Sequence, residues 1–266
     1  MNNPCVAHRG WSGRAPENTM AAFRMALEAP EVAWIELDVQ LSKDAVPVVI
    51  HDYNLRRTTN GRGEVRDWTA AELASLDAGS WFSPKFKGES IPTLDEVLRE
   101  SAGRAKLNIE LKTDGIRYPG IEGKVLERVY EYGRQEDVVF TSFHPGTLQR
   151  LRKLSDHVRL GLILDGWRNT LLQELRELKS DFLSIGYAKL NPARMALLNE
   201  AGIQTMAWTV NDKRNMRKVA ALDPDLLICT NYPDRWRDMV SESGAKSMSR
   251  RMLEGSKKWF RFKPNK

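Results

Sequence analysis

The sequence predicts an α/β fold in which eight strands, each followed by a helix, close into a (β/α)8 barrel. Three observations carry this. Short apolar runs alternate with longer stretches of helical periodicity, the pattern of repeated βα units. The chain has 266 residues, and a barrel of this kind takes roughly 250. Polar residues recur where the apolar runs end, as they must in a TIM-type barrel whose active site lies at the C-terminal ends of its strands.

The strands are predicted at Cys5–His8, Ala33–Asp38, Val46–Ile50, Lys106–Leu111, Asp137–Ser142, Arg159–Leu164, Phe182–Ile185, Gln204–Thr209 and Asp225–Cys229. That is one more than the barrel holds. The surplus is Val46–Ile50, separated from the preceding strand's extension only by Ser42-Lys43-Asp44-Ala45. A parallel neighbour needs a crossover of about a dozen residues or more, so this run is expected to turn back as an antiparallel hairpin arm. Helices are expected at Glu17–Ala29, Thr93–Ser101, Gly120–Tyr132, Pro145–Leu154, Arg168–Lys179, Pro192–Ala201, Asp212–Ala221 and Pro233–Val240. Thr93 with Glu96 forms a capping-box pattern, and Pro145, Pro192 and Pro233 suit first turns. Residues 52–91 break the alternation and read as a small insertion after the second strand and its hairpin, with a short helix opened by Thr69 and Glu72. The insertion is either a lid beside the site or a stabilising surface excursion. The organisation expected is a barrel over residues 1–244 and a flexible basic tail over 245–266.

Composition narrows the function classes. The N-terminus lacks the basic and apolar regions of a signal peptide, and no run approaches the ~20 apolar residues of a membrane helix, so a cytoplasmic protein is expected. Cys5 and Cys229 cannot build a disulfide framework or a Cys-x-x-Cys knuckle; they are placed near opposite ends of the first and last strands and read as core thiols. The net charge of +6 is misleading. Residues 245–266 carry eight basic side chains against Glu254, a net +7, which leaves the body at −1. The barrel itself is therefore not expected to bind nucleic acid.

The strand ends carry the chemistry. They read His8-Arg9-Gly10, Glu36-Leu37-Asp38, Glu110-Leu111-Lys112, Ser142-Phe143-His144, Trp208 and Thr230-Asn231, and the hairpin arm delivers His51-Asp52 to the same end. Alternation points Glu36 and Asp38 together, and Glu110 with Lys112. So many charges facing a barrel interior demand partners or a metal. Three carboxylates without thiols suit a hard divalent cation, Mg²⁺ or Ca²⁺. With that cation, Arg9 and Lys112 leave one net positive charge, matching a phosphodiester monoanion. Delivery by a hairpin implies that His51 is more mobile than His8. A lone histidine at a strand end is more often structural than catalytic; only the joint set overturns that. His144 is equally a helix cap or a site residue, and His157 reads as surface.

Seven motifs occur in order: His8-Arg9-Gly10; Pro16-Glu17-Asn18-Thr19 with Ala22-Phe23; Glu36-x-Asp38-Val39; Val49-Ile50-His51-Asp52; Arg57-Thr58-Thr59-x-Gly61-x-Gly63; Ile91-Pro92-Thr93-Leu94; and Glu110-Leu111-Lys112. Together they resemble the glycerophosphodiester phosphodiesterase family, over nearly all of residues 4–240. The resemblance implies a TIM-type barrel that hydrolyses glycerophosphodiesters to glycerol 3-phosphate and an alcohol. It implies His8 and His51 as the acid–base pair, Glu36, Asp38 and Glu110 as metal ligands, and Arg9 and Lys112 as phosphate contacts, with Glu17 near the site. Phe143 and Trp208 are candidates for the substrate rim. One departure stands out: Glu31-Val32-Ala33-Trp34 replaces the family's Gly-x-Asp, which is expected to alter a helix–strand turn only. A phospholipase acting on intact or lyso-lipids is the enzymatic rival, and a non-catalytic anionic-lipid-binding barrel the rival from another class. The partner expected is a small glycerophosphodiester. The run Lys257-Lys258-Trp259-Phe260-Arg261-Phe262-Lys263 adds an expectation of weak contact with anionic membranes, against RNA contact or a solvated tail.

Overall fold

A computed structural model of the chain describes residues 3–242. The strands, in chain order, are β1 (Cys5–His8), β2 (Val32–Leu41), β3 (Pro47–Val49), β4 (Lys106–Leu111), β5 (Val138–Ser142), β6 (Arg159–Leu164), β7 (Phe182–Gly186), β8 (Gln204–Trp208) and β9 (Leu227–Thr230). Parallel pairing runs β1-β2-β4-β5-β6-β7-β8-β9 and returns to β1, so eight strands close a TIM barrel. The ninth, β3, pairs antiparallel with β2, Val39 opposite Val49 and Gln40 opposite Val48, as the short Ser42–Ala45 connection requires. That pairing also explains why β2 continues past the expected Asp38 to Leu41: the hairpin supplies it with a partner.

The helices are α1 (Met20–Leu27), α2 (Ala70–Ala74), α3 (Leu94–Glu100), α4 (Ile121–Glu131), α5 (Pro145–Leu154), α6 (Leu171–Glu177), α7 (Pro192–Glu200) and α8 (Lys213–Ala220), with residues 233–242 also helical. The expected capping box of Thr93 with Glu96 forms, and the short helix opened by Thr69 and Glu72 carries a second one. Helix α1 begins later than expected, because Thr19 rather than an earlier residue accepts from Ala22 N. Glu17 and Asn18 are thereby left outside the helix.

Alternation along the strands divides the core into two layers. Ile35, Leu37 and Val39 of β2 face the helices, as do Leu107, Ile109 and Leu111 of β4. Trp34, Val6, Val139, Phe182, Met206, Leu227 and Cys229 fill the barrel interior, where the Trp34 and Phe182 rings lie 6.3 Å apart. Gly161 makes room for this plug: a Cβ there would sit 2.7 Å from both Phe182 and Thr141. Val48, Ile50, Leu55, Val65, Leu73, Ala78 and Ile91 form a third cluster, so residues 52–91 share a small core with the hairpin.

The cysteine placement differs from expectation. Closure makes β1 and β9 neighbours, with Cys5 opposite Ile228 and Cys229 opposite Val6, so the two are not at opposite ends. They remain free because adjacent register positions face different layers, Cys5 outward and Cys229 inward. Burial pushes both thiols well up, which keeps them inert. At Glu31, where the sequence departs from the family pattern, Val32 N donates to Ala29 O at 3.0 Å and the carboxylate lies 3.5 Å from Arg237. No helix among the described residues is long and apolar enough to cross a membrane. The basic tail at 245–266 lies outside the described residues.

Candidate active site

The inward positions of β2 run Trp34, Glu36, Asp38 and Gln40, and those of β4 run Asn108 and Glu110 towards Lys112. Register places Asp38 beside Glu110. Above the apolar plug this stack turns acidic. Glu36, Asp38 and Glu110 are buried, and each offers a carboxylate oxygen within 4.8 Å of the others. Their surroundings shift them in different directions. Burial, then Asp38, then Glu110 raises Glu36 well above the usual carboxylate range. Burial and Asp38 push Glu110 up to about 7. Asp38 is buried too, but Arg9 and Lys112 hold it below its ordinary value. Its Oδ2 accepts from Asn18 Nδ2 at 2.8 Å, while its Oδ1 is buried without a hydrogen bond. Three carboxylates this close cannot all ionise in a buried site without added positive charge. An orphaned anionic oxygen within an all-oxygen donor set fits a hard divalent cation.

Two cations border the acids. Arg9 adopts a left-handed conformation at φ 56°, which aims its N–H at Glu36 Oε2 3.0 Å away. Such backbone costs a non-glycine residue about 1–2 kcal/mol. Gly10 follows at φ 75°, where a Cβ would meet the Ala22 backbone at 2.7 Å, so helix α1 can approach the turn only over glycine. The Arg9 guanidinium bridges Glu17 Oε1 at 2.8 Å and Asp38 Oδ2 at 3.2 Å. Lys112 Nζ contacts Glu110 at 2.8 Å and lies 3.9 Å from Asp38 Oδ1. Although burial opposes its charge, Glu110 and Asp38 hold Lys112 protonated.

Both expected histidines reach this pocket, each anchored through Nδ1. His8 Nδ1 lies 2.7 Å from Asn231 Oδ1, and its Nε2 is 3.8 Å from Glu36. Burial, then Arg9, lowers His8 to about 4. His51 Nδ1 lies 2.6 Å from Asp52 Oδ1, and its Nε2 is 3.2 Å from Lys112 Nζ. Asp52 is held in turn by Arg57, whose guanidinium also grips Glu17 at 2.8 Å. A ring of charged and polar contacts thus runs Asp38–Arg9–Glu17–Arg57–Asp52–His51–Lys112 and back to Asp38, its charges alternating from Lys112 through Asp38 round to Asp52.

A cleft with about 440 Å³ of open space is lined by His8, Arg9, Glu36, His51, Glu110, Lys112, Phe143 and Trp208, with Asn108 and Ser184 on its floor. The Phe143 and Trp208 rings meet edge to face at 5.9 Å, and Lys112 Nζ lies 5.8 Å from the Phe143 centroid. The Trp208 indole N–H is buried without a partner. Two expected site residues lie outside this lining: Asp38, fully buried beside Glu36 and Glu110, and Glu17, which reaches the site through Arg9 and Arg57. His144 caps α5, accepting from Thr147 N at 3.2 Å, and His157 is exposed.

Asn18, Arg57 and Asn231 were read only as parts of motifs or strand ends, yet each holds a charged or titrating side chain of the site. A polar residue flanking every strong motif was the available signal.

The family model for the glycerophosphoryl diester phosphodiesterase family matches residues 8–235. A glycerophosphodiester phosphodiesterase of Caldanaerobacter subterraneus is 38% identical over 250 residues, covering 92% of this chain and 100% of that protein. The structure of an Oleispira antarctica phosphodiesterase in complex with the product sn-glycerol-3-phosphate superposes with a TM-score of 0.84 at 30% identity, covering 90% of this chain and 96% of that one. A glycerophosphodiester phosphodiesterase from Agrobacterium tumefaciens gives a TM-score of 0.78 at 33% identity, covering 88% of this chain and 98% of that one.

Proposed function

The chain belongs to the glycerophosphoryl diester phosphodiesterase family, and from that premise we propose that it hydrolyses glycerophosphodiesters to glycerol 3-phosphate and an alcohol, with His8 and His51 exchanging protons above a cation site. The observation that carries this reading is the pair of imidazoles anchored through Nδ1 beside three buried carboxylates, one with an orphaned oxygen.

Glu36, Asp38 and Glu110 would hold a divalent cation, Mg²⁺ or Ca²⁺. When bound, that ion offsets phosphoryl charge and orients an attacking oxygen. The protein's own groups do the rest. Arg9 and Lys112 receive the phosphodiester anion. The substrate's glycerol 2-hydroxyl attacks phosphorus, displacing the alcohol and leaving a cyclic phosphate that water then opens. Intramolecular attack is worth up to about 7–11 kcal/mol over a bimolecular step.

Partners divide the two proton roles. The Asp52 carboxylate backs His51 at Nδ1, and His51 donates a proton to the departing alcohol oxygen. His8 is backed by the neutral Asn231 amide and receives the 2-hydroxyl proton at Nε2. Trp208 donates its free indole N–H to a substrate oxygen, and Phe143 covers the substrate's carbon face.

The deciding assay is coupled detection of glycerol 3-phosphate released from glycerophosphocholine, with and without EDTA, for wild type, His8→Ala and Glu36→Ala. Release is expected from the metal-loaded wild type alone. Release that survives both chelation and His8→Ala overturns the mechanism.

A further inference from the structure

Strand β2 sends a fourth side chain to the face that carries Trp34, Glu36 and Asp38, and the site chemistry does not use it. Gln40 is fully buried. Its Nε2 lies 2.9 Å from each of three consecutive carbonyl oxygens, those of Ile50, His51 and Asp52. An amide nitrogen carries two hydrogens, so three acceptors must share them, and the chain has to bend its carbonyls towards one point. The amide cannot turn away. Its Oε1 accepts a 2.6 Å hydrogen bond from the Tyr118 hydroxyl, and Tyr118 is itself buried. Where β3 stops pairing, the ladder closes with Ile50 N donating to Asp38 O at 3.0 Å. Beyond that bond no strand fixes residues 51 and 52.

We infer that Gln40 is the positioning residue for His51, gathering the carbonyls of residues 50–52 so that Nε2 of His51 faces the carboxylate pocket, with Tyr118 fixing the orientation of the Gln40 amide. The inference rests on the proposed role of His51. Its basis is strand geometry: the strand that supplies Glu36 and Asp38 also sets where the second imidazole stands relative to them. Gln40 touches neither substrate nor cation, so it acts on turnover only through His51. Misplacing a catalytic group by about 1 Å is enough to cost about 10²-fold in rate.

The test is a double-mutant cycle on the metal-loaded full chain. Gln40→Leu removes every clamp bond while keeping a similar volume; Tyr118→Phe removes one hydroxyl and guards against a Gln40 variant that fails to fold. With glycerophosphocholine, Gln40→Leu is expected to lower kcat by about 10–100-fold with KM within about threefold, and Tyr118→Phe by about 3–10-fold. Added to His51→Ala, either change is expected to cost less than about twofold more, because residues acting as a unit are not additive. A general weakening of the fold would instead multiply through both backgrounds. A full additional loss in the His51→Ala background, or unchanged kcat in both folded single variants, overturns the inference. Wild-type turnover in His51→Ala overturns the underlying reading instead.

Discussion

The two histidines meet in one pocket by different means. His8 ends a barrel strand whose neighbours on both sides are hydrogen-bonded along their length, and its ring rests against a neutral amide. His51 stands one residue past the last ladder bond of a hairpin arm. It is held by polar side chains instead: Gln40 on the backbone, Asp52 on Nδ1, Lys112 near Nε2 and Arg57 behind Asp52. The side chains differ in exposure, 17% for His8 against 29% for His51. Hairpin delivery implied that His51 is the looser of the two. The structure adds what holds it: where the sheet ladder stops, a buried amide and charged side chains surround the turn. A barrel can therefore recruit a residue from outside its staves by surrounding it with a second set of polar contacts.

Removing either imidazole should have the largest effect. His8→Ala and His51→Ala should each lower kcat by about 10²–10⁴-fold on glycerophosphocholine. A glycerophosphodiester of p-nitrophenol separates them, because nitrophenolate leaves without a proton. Burst or steady-state release should restore His51→Ala at least tenfold relative to His8→Ala; equal rescue of both breaks the division of roles. Next comes the cation. Wild type should gain about 2.7 kcal/mol of unfolding free energy at a cation concentration 100 times Kd. Asp38→Asn should lose that gain in thermal or denaturant titrations, and an unchanged gain would place the ion elsewhere.

Smaller effects sharpen the contrast between the two anchors. Asp52→Asn replaces a charge-assisted hydrogen bond of ~1.5–3 kcal/mol and should lower kcat about 10–100-fold. Asn231→Ala removes a neutral one of ~0.5–1.5 kcal/mol and should cost about 2–10-fold. If the Asn231 change proves the more damaging, the His8 side is not the one held mainly by the sheet. The smallest effect is on stability. Arg57 lowers Asp52 to about 2, against partial burial and with help from His51. A carboxyl depressed by folding stabilises the native state above its unfolded value near 3.8, and this is lost as pH falls through about 2. The stability difference between wild type and Asp52→Asn should therefore narrow from pH 4 to pH 2 in denaturant melts; a constant difference would detach Asp52 from the charge ring.

Much of this was legible because alternation and spacing are local. Glu36-x-Asp38 had to face one way, and four residues between Leu41 and Val46 could not make a parallel crossover. The same alternation continues to Gln40, so its inward direction was readable too, but what it would meet there was not. Glu17 was expected near the site without a defined contact, since it acts through Arg9 and Arg57 from outside a helix that starts only at Met20.

The sequence by itself determined the barrel, the hairpin arm and which polar side chains point inward, because strand period and crossover length are properties of short segments. Only the tertiary structure decided that Cys5 and Cys229 are neighbours facing apart, that Asn231 anchors His8, and that Gln40 and Tyr118 bind the His51 turn. Each of those contacts joins residues far apart in the chain or across closed strands, and barrel closure sets such distances.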